Sequence, residues 1–189
     1  MKAAESADLS YLILTGGSSS RFGSDKAGAV INGVTMLDRL TSAFPCQPLI
    51  IGPEIQGGPA AAIVAGLGAV STPWVAVVAV DMPFAARIIE YLVTLVVGAR
   101  ADGFVPVDAA GKDQWLCGVY RTAALKVAVS GFDPIAGEPL HKVMSCVDLQ
   151  RVQVPDDLLN LLIDVDTPVD LERAHLLAQE LMAKEEGIG

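Results

Sequence analysis

Residues 15–26 run Thr-Gly-Gly-Ser-Ser-Ser-Arg-Phe-Gly-Ser-Asp-Lys, directly after a continuous apolar stretch. Glycines let backbone amides approach a phosphate closely, and the serines add small hydroxyl donors. Arg21 and Lys26 bring two cations to the same loop, which makes it a polyanion site. It is neither of the two common phosphate motifs, because no Gly-Lys-Ser/Thr closes it and it holds no Gly-x-Gly-x-x-Gly. Asp81 is the matching carboxylate. It follows Trp-Val-Ala-Val-Val-Ala-Val and precedes Met82-Pro83. At the carboxyl end of a central strand it can ligate Mg²⁺ while the metal also holds substrate phosphates. The competing reading is an N-cap for a helix starting near Phe84. A phosphate loop on the same sheet edge favours the metal reading.

These residues need strands to carry them. Residues 9–15, 48–52 and 74–80 are short apolar runs, each ended by a polar residue or glycine, and read as buried parallel strands. Residues 29–35 hold Asn32-Gly33, a hairpin-turn signal. Helices are predicted at 36–44, 59–70, 84–97, 122–129 and about 139–145, with a closing amphipathic helix at 168–184. Further strands are predicted at 103–107, 114–120, 147–154 and, last and short, 161–165. Alternating strands and helices give an α/β fold with a doubly wound, mostly parallel sheet, in one domain over 1–189 with 1–8 and 185–189 frayed. Ligands in such folds sit beyond the carboxyl ends of the strands, so the residues after Thr15, Gly52 and Val80 are where chemistry belongs.

Composition narrows the function classes. The chain has 189 residues, 52% of them hydrophobic and 19% charged, which is enough to bury a core. Aromatics make up only 5%, so that core is mostly Ala, Val, Leu and Ile, as in sheets covered on both faces. A formal net charge of −9 argues against a nucleic-acid binder, which needs a basic face, but not against a small phosphate ligand. Residues 55–80 carry no charge, yet Gly57-Gly58-Pro59, Gly66, Gly68 and Ser71-Thr72-Pro73 interrupt them, so no membrane span is expected. The three cysteines, Cys46, Cys117 and Cys146, are widely spaced and read as buried reduced thiols of a cytoplasmic protein.

The segments 14–26 (Leu-Thr-Gly-Gly-Ser-Ser-Ser-Arg-Phe-Gly-Ser-Asp-Lys) and 32–39 (Asn-Gly-Val-Thr-Met-Leu-Asp-Arg) together resemble the opening of the MobA-like nucleotidyltransferases. Gly57–Ile63, Val80–Phe84, Cys117–Arg121 and Ile163–Leu171 continue the resemblance in the family's order, over almost the whole chain. It implies a three-layer Rossmann-like domain of the nucleotide-diphospho-sugar transferase kind. The implied activity is that of a molybdenum cofactor guanylyltransferase, moving GMP from Mg-GTP to the terminal phosphate of molybdopterin and releasing pyrophosphate. By the resemblance, Leu14, Thr15 and Gly16 hold the guanine nucleotide through backbone contacts, and Gly17 belongs to the same turn. Arg21 and Lys26 contact the triphosphate, Asp81 binds Mg²⁺, and Asp166 is a second metal ligand or a cap of the last helix. The implied partners are GTP, molybdopterin or the molybdenum cofactor, and proteins of molybdoenzymes or cofactor biosynthesis.

Two departures keep alternatives open. Where the family often shows His-Pro on the acceptor side, this chain has Gln114-Trp115. The residues after the second strand, Ile51-Gly52-Pro53-Glu54, do not match the family's base-recognition pattern. The alternatives are transfer from another nucleotide such as CTP, another phosphorylated acceptor, or a non-catalytic GTP-binding regulatory module. Trp115 reads as packing rather than as a stacking surface, and His175 as a surface or packing residue. His141, beside Lys142, is a lesser candidate for acceptor contact. Asp102, Asp108, Lys112 and Asp113 read as solvated residues around a turn.

Overall fold

In the computed structural model, residues 8–16, 26–185 and 187 are described, with Lys26 and Glu185 described by backbone alone. The apolar runs become strands β1 (Leu9–Leu14), β4 (Leu49–Ile51) and β5 (Trp74–Ala79). The Asn32-Gly33 signal becomes the turn between β2 (Val30–Ile31) and β3 (Val34–Thr35), with φ of 49° and 82° at its two central residues. Positive φ at both positions is what a tight two-residue hairpin turn requires, and Asn and Gly tolerate it best. Strands β6 (Gly103–Pro106), β7 (Cys117–Arg121) and β8 (Leu149–Val152) complete the set.

The six-stranded sheet has the order β4-β1-β5-β7-β6-β8. β1 pairs parallel with β4 and β5, and β6 pairs parallel with β8. β7 is antiparallel to both of its neighbours. Alternate residues of β1 and β5 feed two separate cores. Tyr11, Ile13, Ala76 and Val78 pack with helices α1 (Met36–Ala43), α3 (Ala85–Thr94) and α7 (Pro168–Glu185). Leu12, Leu14, Val75 and Val77 pack with α2 (Gly58–Leu67), α4 (Thr122–Ser130) and α5 (Leu140–Met144). The result is the expected three-layer α/β architecture with a mostly parallel sheet. None of the described helices is long and apolar enough to cross a membrane.

Three expectations need correction, and one short helix was not foreseen. Residues 161–165 form no strand: Leu161, Ile163 and Val165 are buried alternately because the segment crosses the face of the first core, and the sheet already ends at β8. A short helix, α6 (Asp156–Leu159), precedes it and left no clear signal. β7 starts at Cys117 rather than Gln114, because the Cys117 amide turns back to the Gln114 carbonyl at 3.0 Å. Only Cys117 is buried; Cys46 and Cys146 are exposed. The expected fraying at the ends falls mostly outside the described residues, although the Asp8 carbonyl accepts from Trp74 N–H at 3.2 Å.

α7 starts on a reciprocal cap. Thr167 Oγ1 accepts from Asp170 N–H at 3.3 Å, and Asp170 Oδ2 accepts from Thr167 N–H at 2.9 Å and from the Thr167 hydroxyl at 2.7 Å. Pro168 follows at the first helical position, where its missing N–H costs nothing. The Thr167 hydroxyl, opposed by partial burial and supported by the Asp166 and Thr167 amides and the Arg173 charge, holds the Asp170 carboxyl below its ordinary value. A lowered native pKa stabilises the fold above the unfolded-state value and loses that contribution as pH falls through the native value. Asp170→Ala is therefore expected to lower stability by about 0.5–2 kcal/mol at pH 7. In urea titrations the difference from wild type should shrink as pH drops below about 4; a difference that persisted at pH 2 would exclude the carboxylate as its source.

Candidate active site

The strand ends are aligned by register. Leu14 lies opposite Ile51 of β4 and Ala79 of β5, so β1, β4 and β5 end together at one edge of the sheet. Bonds beyond the ladder seal that edge. Thr15 sends both its N–H (2.9 Å) and its hydroxyl (3.1 Å) to the Ile51 carbonyl, and Val80 N–H donates to the Leu14 carbonyl at 3.0 Å. Because β7 runs the other way, its beginning lies at this same edge: Val78 pairs with Cys117, and Ala79 N–H donates to Leu116 O at 2.8 Å. Gln114 and Trp115 are thereby brought next to the exit of β5.

The predicted residues sort as follows. Leu14 is buried at the end of β1, and Thr15 and Gly16 are half-buried beyond it. Gly16 lies so close to β4 that a Cβ there would sit 3.3 Å from Pro53 Cα and 3.4 Å from the Gly52 carbonyl oxygen. Gly17 and Arg21 lie outside the described residues. Lys26 opens a 3-10 turn, Lys26–Gly28, and its side chain is likewise not described. Asp81 is half-buried just past β5. Asp166, exposed, lies just before α7. The chain links these last two, because Asp81 O accepts from Val165 N–H at 2.8 Å. Asp81 and Asp166 thus stand on segments joined by a backbone bond, while the cap of α7 belongs to Thr167 and Asp170. No cluster of three or more His, Cys, Asp or Glu side chains exists among the described residues. Two hard carboxylates are nevertheless a donor set that suits Mg²⁺, which retains waters and substrate phosphates as its other ligands.

α2 begins at the same edge. Its N-cap, Gly57, has φ 106°, and the Gly57 carbonyl accepts from Gly137 N–H at 2.9 Å. A Cβ on Gly57 would sit 2.7 Å from Ala136 Cβ and 2.9 Å from Ala136 Cα. The loop 131–139 is therefore seated on the start of α2. His141 follows it on α5 and is exposed.

On the β6–β7 side the turn is built rather than merely solvated. Asp108 accepts from the N–H groups of Ala110 and Lys112, each at 2.9 Å, and from Gln114 Nε2 at 2.7 Å. Partial burial would raise its pKa, but these donors and the Lys112 charge outweigh it and hold the carboxyl below its ordinary value. Arg151 Nε reaches Asp113 at 2.6 Å and its Nη2 reaches the Gly111 carbonyl at 2.8 Å. Asp102 pairs with Arg121 at 3.0 Å, at the opposite end of β7. Of the four residues read as solvated, only Lys112 is exposed. Trp115 is half-buried against the second core, as its packing reading required, and its carbonyl accepts from the hydroxyl of the fully buried Tyr120. Burial, with the nearby Asp164 charge, pushes the Cys117 thiol far above its usual value, so it stays protonated.

Sequence reasoning missed several of the bonds that shape this edge. Arg39 Nη2 donates to the Ile31 carbonyl at 2.8 Å, with its guanidinium 5.5 Å from the centre of the Phe84 ring. Asn32 bonds to His175 of α7. The Asp-Ala-Ala-Gly run at 108–111 was the available signal for the Asp108 turn. The two long-range ties left none.

Residues 11–51 and 45–131 match the family described as MobA-like NTP transferase domain. A protein of Mycobacterium avium named "Probable molybdenum cofactor guanylyltransferase" is 31% identical over 193 residues, covering 89% of this chain and 95% of its own. One of the same name from Natronomonas pharaonis is 37% identical over 127 residues, and this chain spans 59% of its length. Among solved structures, molybdopterin-guanine dinucleotide biosynthesis protein A from Archaeoglobus fulgidus aligns with a TM-score of 0.74 at 18% identity, covering 90% of this chain and 99% of that one. The 2-C-methyl-D-erythritol 4-phosphate cytidylyltransferase of Thermus thermophilus shares the fold with a TM-score of 0.65 at 19% identity, covering 90% and 98%.

The glycine pair opening α2 gives a contrast within one motif. Gly57→Ala meets both a left-handed backbone and a filled space, and is expected to lower stability by about 2–5 kcal/mol. Gly58→Ala, at φ 81° with nothing within 4 Å of its Cβ position, meets only the backbone penalty, about 1–2 kcal/mol. Urea midpoints of the two variants check the order; equal losses would mean that loop 131–139 is not seated on Gly57.

Proposed function

Since this chain belongs to the MobA-like NTP transferase family, and is by that a nucleotidyltransferase, we propose that it is a molybdenum cofactor guanylyltransferase. It would join GMP from GTP to the terminal phosphate of molybdopterin. The observation that carries the site assignment is the Val165–Asp81 backbone bond, because it sets two carboxylate-bearing segments beside the strand end where the glycine loop begins. The names of the relatives support the choice of GTP and molybdopterin.

In this reading the guanine nucleotide lies along the end of β1. The N–H of Thr15 is taken by Ile51, so Thr15 would contact the nucleotide through its carbonyl. Gly16, pressed against Gly52 and Pro53, keeps that surface open. Gly17 and the rest of the glycine loop would offer amides to the phosphates, with Arg21 and Lys26 balancing their charge. Asp81 and Asp166 would hold Mg²⁺, which when bound supplies positive charge against the triphosphate oxygens. A phosphate oxygen of the acceptor attacks the α-phosphorus in line; the new P–O bond forms as the bond to the β-phosphate breaks, and pyrophosphate leaves. No covalent nucleophile is required. What the protein contributes is alignment and charge neutralisation, and Lys26 and Arg21 are the groups for it. The Gln114-Trp115 segment, fixed by Asp108 and Tyr120, would border the acceptor.

Pyrophosphate release is measured with GTP, CTP or ATP, each with Mg²⁺, with and without molybdopterin. Release with GTP only when molybdopterin is present is the expected result. Preference for CTP would overturn the guanine assignment, and GTP binding without release would favour another acceptor or a regulatory module. Asp81→Ala should abolish turnover with the fold intact by circular dichroism, and Lys26→Ala should slow turnover and weaken triphosphate binding. Near-wild-type rates in both variants would remove these residues from the site.

A further inference from the structure

The hairpin β2–β3 follows the glycine loop immediately: Lys26–Gly28 is a 3-10 turn and Val30 opens β2. Whatever fixes this hairpin fixes the point at which the loop returns to the fold. Its tip is held by α7, 143 positions away in sequence. Asn32 Nδ2 donates to the His175 carbonyl at 3.0 Å. His175 Nδ1 faces Asn32 N–H at 3.2 Å and Asn32 Oδ1 at 2.8 Å. With its proton on Nδ1 the ring donates to Oδ1, and with its proton on Nε2 it accepts from N–H, so the imidazole keeps a partner in either tautomer. Asn32 is in a left-handed conformation at φ 49°, which presents its amide and side chain to α7 together.

The strand β2 is held beside the turn as well. Arg39 donates to Ile31 O and lies over Phe84, three residues beyond Asp81. At its start, α7 is joined to Asp81 through Val165. From the Thr167 cap to His175 the helix rises roughly 12 Å at 1.5 Å per residue. The segment leading into α7 thus bonds Asp81, and the helix holds the hairpin that follows the glycine loop about two turns further on.

We infer that His175 is a positioning residue for triphosphate binding: through Asn32 it fixes the hairpin, and through the hairpin the placement of Lys26 relative to Asp81. This rests on the nucleotide-transfer reading above. It assigns the role to Nδ1, because that atom alone of the ring meets Asn32. An asparagine places a polar side-chain atom near the Nδ1 position, whereas a glutamine places one near Nε2. That difference separates positioning from bulk packing.

His175→Ala, His175→Asn and His175→Gln are compared with wild type in Mg²⁺-dependent pyrophosphate release and in amide hydrogen exchange at Lys26–Gly28 and Val30–Thr35. His175→Ala and His175→Gln should raise KM for the nucleotide about tenfold, with kcat within about twofold, and speed exchange at the hairpin. His175→Asn should restore both to within about twofold of wild type. Equal KM in all four proteins would overturn the inference, as would parallel losses in all three variants that follow their melting temperatures. If wild type released no pyrophosphate with any nucleotide, the transfer reading would fall by itself. Exchange would then decide the tie: acceleration in alanine and glutamine but not in asparagine upholds it, and unchanged exchange removes it.

Discussion

The parallel pairing of β1 with β5, from Leu9 opposite Trp74 to Leu14 opposite Ala79, is the constraint from which the remaining geometry follows. Both strands are covered on both faces, so their apolar residues are divided between two cores. A slip of one position would move Tyr11 and Ile13 into the space of Leu12 and Leu14, and every contact on both faces would be wrong. Burial therefore sets where the strands end as well as how they pair. Since β4 keeps the same register against β1, three strand ends come out flush, and the residues beyond them share one edge without further instruction.

The reversed strand β7 adds what a wholly parallel sheet could not. In a parallel sheet the residues preceding a strand lie at the edge opposite the strand ends. β7 begins at the edge where β1, β4 and β5 end, so the segment before it, Gln114 to Leu116, borders the exit of β5. The Asp108 turn and the Tyr120 hydroxyl then hold that segment from two sides. Ordered loop backbone beside a rigid strand end suits any chemistry that depends on aligning two reactants.

Much of this was legible in the sequence, for local reasons. The run Trp74–Ala79 reads as a strand because two-faced burial makes it apolar throughout, and Asn32-Gly33 reads as a turn because few residue pairs accept positive φ twice. The glycine loop and Asp81 stand out by residue type and by their place after such strands, and the structure sets Thr15, Gly16 and Asp81 just beyond β1 and β5. What stayed hidden was long-range. The direction of β7 is not written in its own residues. The alternating burial at 161–165 imitates a strand but arises from crossing a core face. The bonds from Val165 to Asp81 and from His175 to Asn32 join positions with no periodic relation, so no window along the chain can hold both partners.

The grip of α7 on the hairpin also bears on how the molecule comes into being. During synthesis β1, the hairpin and β5 leave the ribosome well before the helix that clasps Asn32 and the segment ahead of it that bonds the carbonyl of Asp81. Until that helix emerges, the cores on the two faces of the sheet are unequal: the face of α2, α4 and α5 can close, while that of α1 and α3 still lacks Ala174 and Ala178. A polypeptide cut short before α7 would therefore leave the first core, on the face of α1 and α3, without its cover, and would expose apolar surface there.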